Sequence, residues 1–381
     1  MVLKVSERGR VAPFIVMDVL RDANERAAEG HEVLHLEVGQ PGTPAPRAVI
    51  EAASAALNEE LIGYSNAMGI SPLREAIAGH YEKIYGLTID PARIMVTTGS
   101  SGGFLLSFLG AFDAGDRIAM AAPGYPAYRN ILIALGIEPV LLETSLEDRF
   151  QPTVDLLKQA GPIDGLIIAS PSNPAGTLVK RNHFKDLVDF CDDAGVRIIS
   201  DEIYHGITYQ EKAVSALELS DHAIVINSFS KYFSMTGWRL GWMVLPVDLI
   251  RPAECLGQNL FISAPTLSQH AGIAAFNCYD ELDRLVETYA ESRALLLDEL
   301  PKAGFDRLAP ADGAFYIYAD VSGLTNDSEA FCRRMLHEAG VAATPGKDFD
   351  PQRGHRFVRF SFAGQAEQIA RAADRLQRWL R

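Results

Sequence analysis

Between residues 93 and 246, short apolar runs alternate with longer amphipathic stretches, and this alternation restricts the fold more than any other feature of the chain. The runs lie at 93–98, 117–122, 138–143, 165–170, 197–203, 223–229 and 241–246. Some are apolar at consecutive positions, as at Leu166, Ile167 and Ile168, the pattern of strands covered on both faces. The stretches between them keep the helical period. Phe184, Leu187, Val188 and Cys191 fall at i, i+3, i+4 and i+7, and Gly195 follows as a stop. The pattern predicts an α/β fold with a mostly parallel seven-stranded sheet flanked by helices. Only about eleven residues separate Phe229 from Gly241, too few for a full crossover helix, so the last strand is predicted to run antiparallel.

Beyond residue 280 the pattern changes. A helix marked by Leu282, Leu285, Val286 and Tyr289 precedes strands predicted at 315–321, 341–344 and 357–362, and a terminal helix carries Ile369, Ala372, Ala373, Leu376 and Leu380. This reading divides the chain into an arm and helix over 1–40, a large domain over 41–280, and a smaller α+β domain over 281–381 with which the arm packs. The formal net charge of −14 argues against nucleic acid as a partner, because phosphate backbones need surplus Lys and Arg. Cys191, Cys255, Cys278 and Cys332 are widely spaced, which fits neither a zinc site nor a disulfide framework. With no signal-like N-terminus and no apolar stretch of membrane-spanning length, a cytoplasmic protein without bound metal is expected.

Ligands of open α/β sheets bind beyond the carboxyl ends of the strands, so the residues that follow each run carry the chemistry. The first run leads into Gly99-Ser100-Ser101-Gly102-Gly103 and an apolar helix, a loop able to offer free amides to a phosphate. It matches neither nucleotide-loop template. The second leads to Pro123-Gly124-Tyr125, the fourth to Ser172-Asn173-Pro174-Ala175-Gly176, and the fifth ends at Asp201-Glu202-Ile203-Tyr204. The sixth leads to Ser228-Phe229-Ser230-Lys231, with Arg239 eight residues later. A lysine taken blindly is a surface residue. Buried beside a second cation, however, its neutral nucleophilic form is favoured. Asp201 is either a structural acid or the partner of a cationic ring nitrogen. Arg239 is equally explained by stacking on Trp238 or Trp242, Tyr204 by core packing, and Arg359 by a solvated strand face opposite Val358 and Phe360.

The segment Ser228-x-Ser230-Lys231 followed by Met235-Thr236-Gly237-Trp238-Arg239 resembles the lysine signature of the class I/II aminotransferases, which have pyridoxal-phosphate fold type I. The supporting segments around Ser100, Asn173, Asp201 and Arg359 occur in the family's order, and the resemblance runs from about Leu36 to the C-terminus. It implies pyridoxal 5'-phosphate held by Lys231 as a Schiff base, and a ping-pong exchange of an amino group between an amino acid and a 2-oxo acid. Lys231 would carry the proton, Asp201 pair with the pyridine nitrogen, and Asn173 and Tyr204 bond the ring oxygen. Ser100, Ser101, Gly102, Ser228, Ser230 and Arg239 would hold the phosphate, and Tyr125 would stack on the ring. Gly39 and Arg359, with Asn173, would receive the substrate carboxylate. Tyr64 is similar to a tyrosine that reaches the neighbouring subunit's phosphate, which implies a homodimer with shared sites. The resemblance further implies a cis Asn173–Pro174 bond.

Ser101 stands where some relatives that act on acidic substrates carry a lysine, and the loop Gly39-Gln40-Pro41-Gly42-Thr43-Pro44 departs from the familiar pattern. A neutral aliphatic or aromatic amino acid is therefore expected. Because one lysine pocket serves several reactions, a carbon–sulfur β-lyase is the alternative enzyme, and a cofactor-sensing regulator the non-enzymatic one.

Overall fold

In the computed structural model, which describes residues 3–381, the seven expected runs form one sheet. A short strand β1 (Leu34–His35) precedes them. They are β2 (Ile94–Thr97), β3 (Arg117–Ala122), β4 (Glu138–Glu143), β5 (Gly165–Ala169), β6 (Arg197–Asp201), β7 (Ile224–Ser228) and β8 (Gly241–Val244). Their order is β2-β8-β7-β6-β5-β3-β4. β8 alone is antiparallel to its neighbours β2 and β7, and the rest pair in parallel. The short return before β8 is a 3-10 turn, Thr236–Trp238, where the parallel connections carry longer excursions.

Side chains alternate between two cores, one on each face. Leu166, Ile168, Ile198 and Val225 enter one, with Phe184, Leu187, Val188 and Cys191 of the helix Arg181–Ala194. Ile167, Ile199, Ile224 and Ile226 enter the other, with Phe104 and Phe108 of the helix Gly99–Ala111. The consecutive apolar residues thus reflect a sheet covered on both sides.

Downstream come β9 (Arg307–Leu308), β10 (Tyr316–Asp320), β11 (Val341–Ala342), β12 (Thr344–Pro345) and β13 (Phe357–Ser361). β12, β13, β10 and β9 form an antiparallel sheet in that order. The helices Tyr279–Lys302 and Ala366–Trp379 pack against each other beside it. The single strand expected at 341–344 is divided: β11 pairs in parallel with β1, whereas β12 pairs with β13. The chain changes sheets at Ala343, and Thr344 Oγ1 donates to the Glu37 carbonyl at 3.0 Å, fixing the crossing. The expected run at 197–203 stops at Asp201, because its Oδ1 accepts the Ile203 amide at 3.1 Å and turns the chain out of the ladder. The helix Ile15–Ala28 packs on β11 and β12, where Ala23 meets Leu336 and Ala342. The Asn173–Pro174 bond is cis, as are Ala122–Pro123 and Ser170–Pro171. No helix among the described residues is long and apolar enough to cross a membrane.

Close backbone approach joins the sheet to the first helix behind it. A Cβ on Gly241 would meet Gly99 C at 2.8 Å, Asn227 O at 2.9 Å and Ser100 N at 3.0 Å, all of them backbone atoms that cannot swing aside. Gly110, inside the helix Gly99–Ala111, has Leu256 Cδ1 at 3.6 Å as its nearest obstacle. Gly241→Ala is expected to lower stability by about 2 kcal/mol through overpacking. Gly110→Ala is expected to raise it by up to about 1 kcal/mol through helix propensity. Urea unfolding of the two variants checks this, and a shift of both in the same direction would contradict the packing described.

Candidate active site

One cavity opens at the carboxyl ends of β2, β3, β5, β6 and β7, lined by Ser100, Ser101, Tyr125, Asn173, Asp201, Tyr204, Ser230, Lys231 and Arg239 among others. Gly39 and Gln40 close it from one side, Arg359 and Tyr316 from another, and Phe14, Val16, Met17 and Leu20 of the arm from a third. Residues from both ends of the chain therefore complete a site whose base is the sheet edge.

Among the described residues, Asp201 is the one carboxylate in this lining. Its Oδ1 accepts the Ile203 amide, and its Oδ2 accepts the Tyr128 hydroxyl. Burial pushes its pKa from 3.8 up to about 6, against the opposing pull of those two bonds and of the Lys231 charge. Lys231 projects into the cavity and donates Nζ to the Gly39 carbonyl. Burial, and next the charge of Arg359, bring its pKa down from 10.5 to about 8, while Asp201 acts the other way. The two groups are thus shifted towards each other by the same desolvation.

Arg359 lies on β13 and is 3% exposed, so the solvated strand face weighed for it does not hold. Its Nη1 donates to Asn173 Oδ1 at 2.9 Å, and its Nη2 donates to the Glu37 carbonyl and to Thr344 Oγ1. The guanidinium lies over the Tyr316 ring at 4.4 Å and over the Phe349 ring at 4.8 Å. Its Nε has no partner among the described residues. Tyr316, in turn, shares a hydroxyl bond with Tyr204 at 2.7 Å. A Cβ on Gly39 would meet Tyr316 Oη at 1.9 Å, so only glycine lets the loop close over that ring.

The opposite end of the cavity is a helix N-terminus. The helix Gly99–Ala111 starts without a side-chain cap, and Gly99 adopts φ +70°. Arg239 lies across it, with Nη2 2.6 Å from where a Gly99 Cβ would stand. Arg239 Nη1 donates to the Thr236 carbonyl at 3.0 Å. Trp242 is buried and donates its Nε1 to Tyr81 Oη at 3.2 Å. Free amides, a dipole end and a guanidinium together form an anion cradle.

Three of the sequence candidates lie outside the cavity lining. Ser228 is buried behind the lining, its Oγ donating to the Leu240 carbonyl at 3.0 Å and sharing a hydroxyl bond with Ser230 Oγ at 2.9 Å. Gly102 is buried in the first turn of its helix. Tyr64 is 83% exposed. Conversely, sequence reasoning missed Tyr128, Tyr316 and the arm residues. Tyr128 falls three positions after Tyr125 at the start of the helix Pro126–Leu135, a spacing that hints at a shared face, but nothing local pointed to Asp201.

Comparison with known proteins places the chain in a family. The family model described as aminotransferase class I and II matches residues 31–376. A Mycobacterium tuberculosis protein called valine–pyruvate aminotransferase is 50% identical over 99% of this chain and 98% of its own length. A crystal structure of an aminotransferase from Mycobacterium tuberculosis superposes with a TM-score of 0.98 at 49% identity, covering 100% of this chain and 99% of the other. The aspartate aminotransferase of Thermus thermophilus, solved with maleate, superposes with a TM-score of 0.93 at 29% identity, covering 99% and 100%.

The electrostatics predict a pH signature for the cofactor-free chain. Below about pH 4 Asp201 is protonated whether folded or unfolded, so it adds no penalty. Above about pH 6 it is ionised in both, and the folded state carries the full cost, on the order of 3 kcal/mol. The stability of Asp201→Asn relative to the parent is therefore expected to rise by about that amount between these pH values. Denaturant titrations across pH 4–7 measure the difference, and a constant offset would show that Asp201 is not held in this state.

Proposed function

We propose that this chain, which belongs to the class I and II aminotransferases, moves an amino group from a neutral aliphatic amino acid to a small 2-oxo acid. Two half-reactions would use one pocket in turn. The family depends on pyridoxal 5'-phosphate. When bound, that cofactor supplies an aldehyde that condenses with amines and a ring that takes up the charge left at Cα. The observation that carries the reading is the convergence on one cavity of Lys231, Asp201, Arg359 and an anion cradle with Arg239.

The residues present fit this cofactor. The cradle formed by the amides of Ser100, Ser101 and Gly102, the Ser230 hydroxyl and Arg239 would hold its phosphate, and Ser228 would orient Ser230. Asp201, buried and lacking a full counter-charge, would keep the ring nitrogen protonated. Tyr204 and Asn173, each already oriented by a hydrogen bond, would face the ring oxygen, and Tyr125 would cover the ring. The pKa of about 8 leaves part of Lys231 neutral at physiological pH, as its roles of nucleophile at the aldehyde and proton carrier at Cα require. Arg359, fixed from below by two aromatic rings, would take the substrate carboxylate with Asn173 and the Gly39 loop beside it.

Substrate choice rests on what surrounds that clamp. Among the described residues the cavity's basic side chains are Lys231, Arg239 and Arg359, each with a role above, which leaves none for a second carboxylate. The arm contributes apolar side chains instead. The half-identical relative is named for valine and pyruvate, whereas those named for aspartate are about a third identical or less.

The same reading makes the protein a homodimer in which Tyr64 serves the partner's phosphate. Its support is the run of exposed apolar side chains that precedes that residue in sequence, Leu57 at 61% and Leu61 at 94% exposure. It also divides the chain into the arm, large domain and small domain given above. Its four cysteines are unpaired, which fits a reducing cytoplasm.

The test is spectroscopic. Added to the cofactor-loaded protein, valine is expected to bleach the visible absorbance faster than aspartate, and pyruvate to restore it. Fastest conversion by aspartate would overturn the substrate reading. Pyruvate release from cystathionine without any 2-oxo acid acceptor would favour the β-lyase. Lys231→Ala is expected to abolish conversion altogether. Tyr64→Phe is expected to weaken cofactor affinity about tenfold, in keeping with loss of one hydrogen bond to a charged group. Unchanged affinity in a cofactor titration would remove Tyr64 from the site.

A further inference from the structure

The helix Ile15–Ala28 begins without a cap of its own, because Phe14 occupies the N-cap and makes no side-chain hydrogen bond there. Its first amides are met from the far end of the chain. Ile15 N donates to Asp348 Oδ1 at 3.1 Å, and Val16 N donates to Asp348 Oδ2 at 3.2 Å. Asp348 is only 2% exposed. A buried carboxylate is costly unless its oxygens are paired, and here both are spent on two successive amides at the positive end of a helix. Burial raises the Asp348 pKa above the ordinary aspartate value, opposed by the two amide bonds and then by the charges of Arg359 and Arg129.

The turn that carries Asp348 reaches the rest of the cavity through the next residue. The Phe349 ring lies under the Arg359 guanidinium, and the Phe349 carbonyl accepts the Gly124 amide at 3.1 Å, directly before Tyr125. One turn thus holds the arm, the guanidinium and the Tyr125 loop in a fixed relation.

The first turns of the arm helix, with Phe14 before them, place Phe14, Val16, Met17 and Leu20 along the cavity, the longest apolar contribution from any one segment. If the amino group of a substrate is taken at Lys231 and its carboxylate at Arg359, its side chain is left to face this wall. We infer that Asp348 is a positioning residue for substrate selection: by clamping the first turn of the arm helix, it sets the apolar wall against which the substrate side chain packs. The inference rests on the reading of the chain as an aminotransferase for neutral aliphatic amino acids.

The test compares holoenzyme carrying Asp348→Ala or Asp348→Asn with the parent. The ratio of kcat/KM for valine to that for alanine is expected to fall at least about tenfold in Asp348→Ala, because valine carries two more carbons than alanine and one methylene read by a packed wall is already worth about tenfold or more. Asp348→Asn, which keeps one acceptor oxygen, is expected to recover part of the ratio. A parallel loss on both amino acids, as general destabilisation produces, would overturn the inference. Hydrogen exchange of residues 15–20 is the second measurement and needs no substrate. Protection is expected to fall in Asp348→Ala and to be partly retained in Asp348→Asn, and unchanged protection in both would overturn the clamp itself. A parent inactive on valine and alanine would refute the substrate reading and the selecting role with it, while the exchange result still decides whether Asp348 holds the arm.

Discussion

A sheet buried on both faces has no place along its strands for charged side chains, and this constraint organises the whole molecule. The central strands β5, β6 and β7 are filled by Leu166, Ile167, Ile168, Ile198, Ile199, Ile224, Val225 and Ile226. Polar groups are therefore displaced to the strand ends. The parallel direction of most strands gathers those ends along one edge, and the antiparallel β8 returns the chain there after Lys231. The candidate active site is where the two-sided core stops.

At that edge the same desolvation acts oppositely on an acid and a base. Burial lifts Asp201 and lowers Lys231, so each is held near the pH at which it changes charge. Neither group forms an ion pair among the described residues, and the guanidiniums of Arg239 and Arg359 add positive charge at the two ends of the cavity. Such an arrangement costs stability in the free protein and suits a ligand that is anionic at one end and cationic within its ring. Tyr128 tempers the cost by donating to Asp201, a partner more than seventy residues distant in sequence.

The parts legible in the sequence share a common character. Strand positions, the antiparallel turn and the order of Ser100, Asn173, Asp201, Lys231 and Arg239 follow from short-range pattern, since each residue is placed by the strand immediately before it. What local pattern misread or left open lay where a long-range partner intervened. The division of 341–344 into two strands depends on β1 and β13, which the local run of Val341, Ala342 and Ala343 does not register. Arg359 alternates with apolar neighbours as a surface residue would, yet lies buried because Tyr316, Phe349, Asn173 and Glu37 enclose it.

By itself, then, the sequence determined that this chain builds a two-sided α/β sheet whose polar residues gather at one edge, because hydrophobic period and turn residues act over a few positions. Only the tertiary structure decided which distant groups meet there: Tyr128 with Asp201, Tyr316 with Tyr204, and Asp348 with the first turn of the arm. Those pairings join residues up to 333 positions apart, and no local propensity encodes them. They arise when packing brings desolvated donors and acceptors within reach of one another, and a buried polar group must then find its partner wherever the fold supplies it.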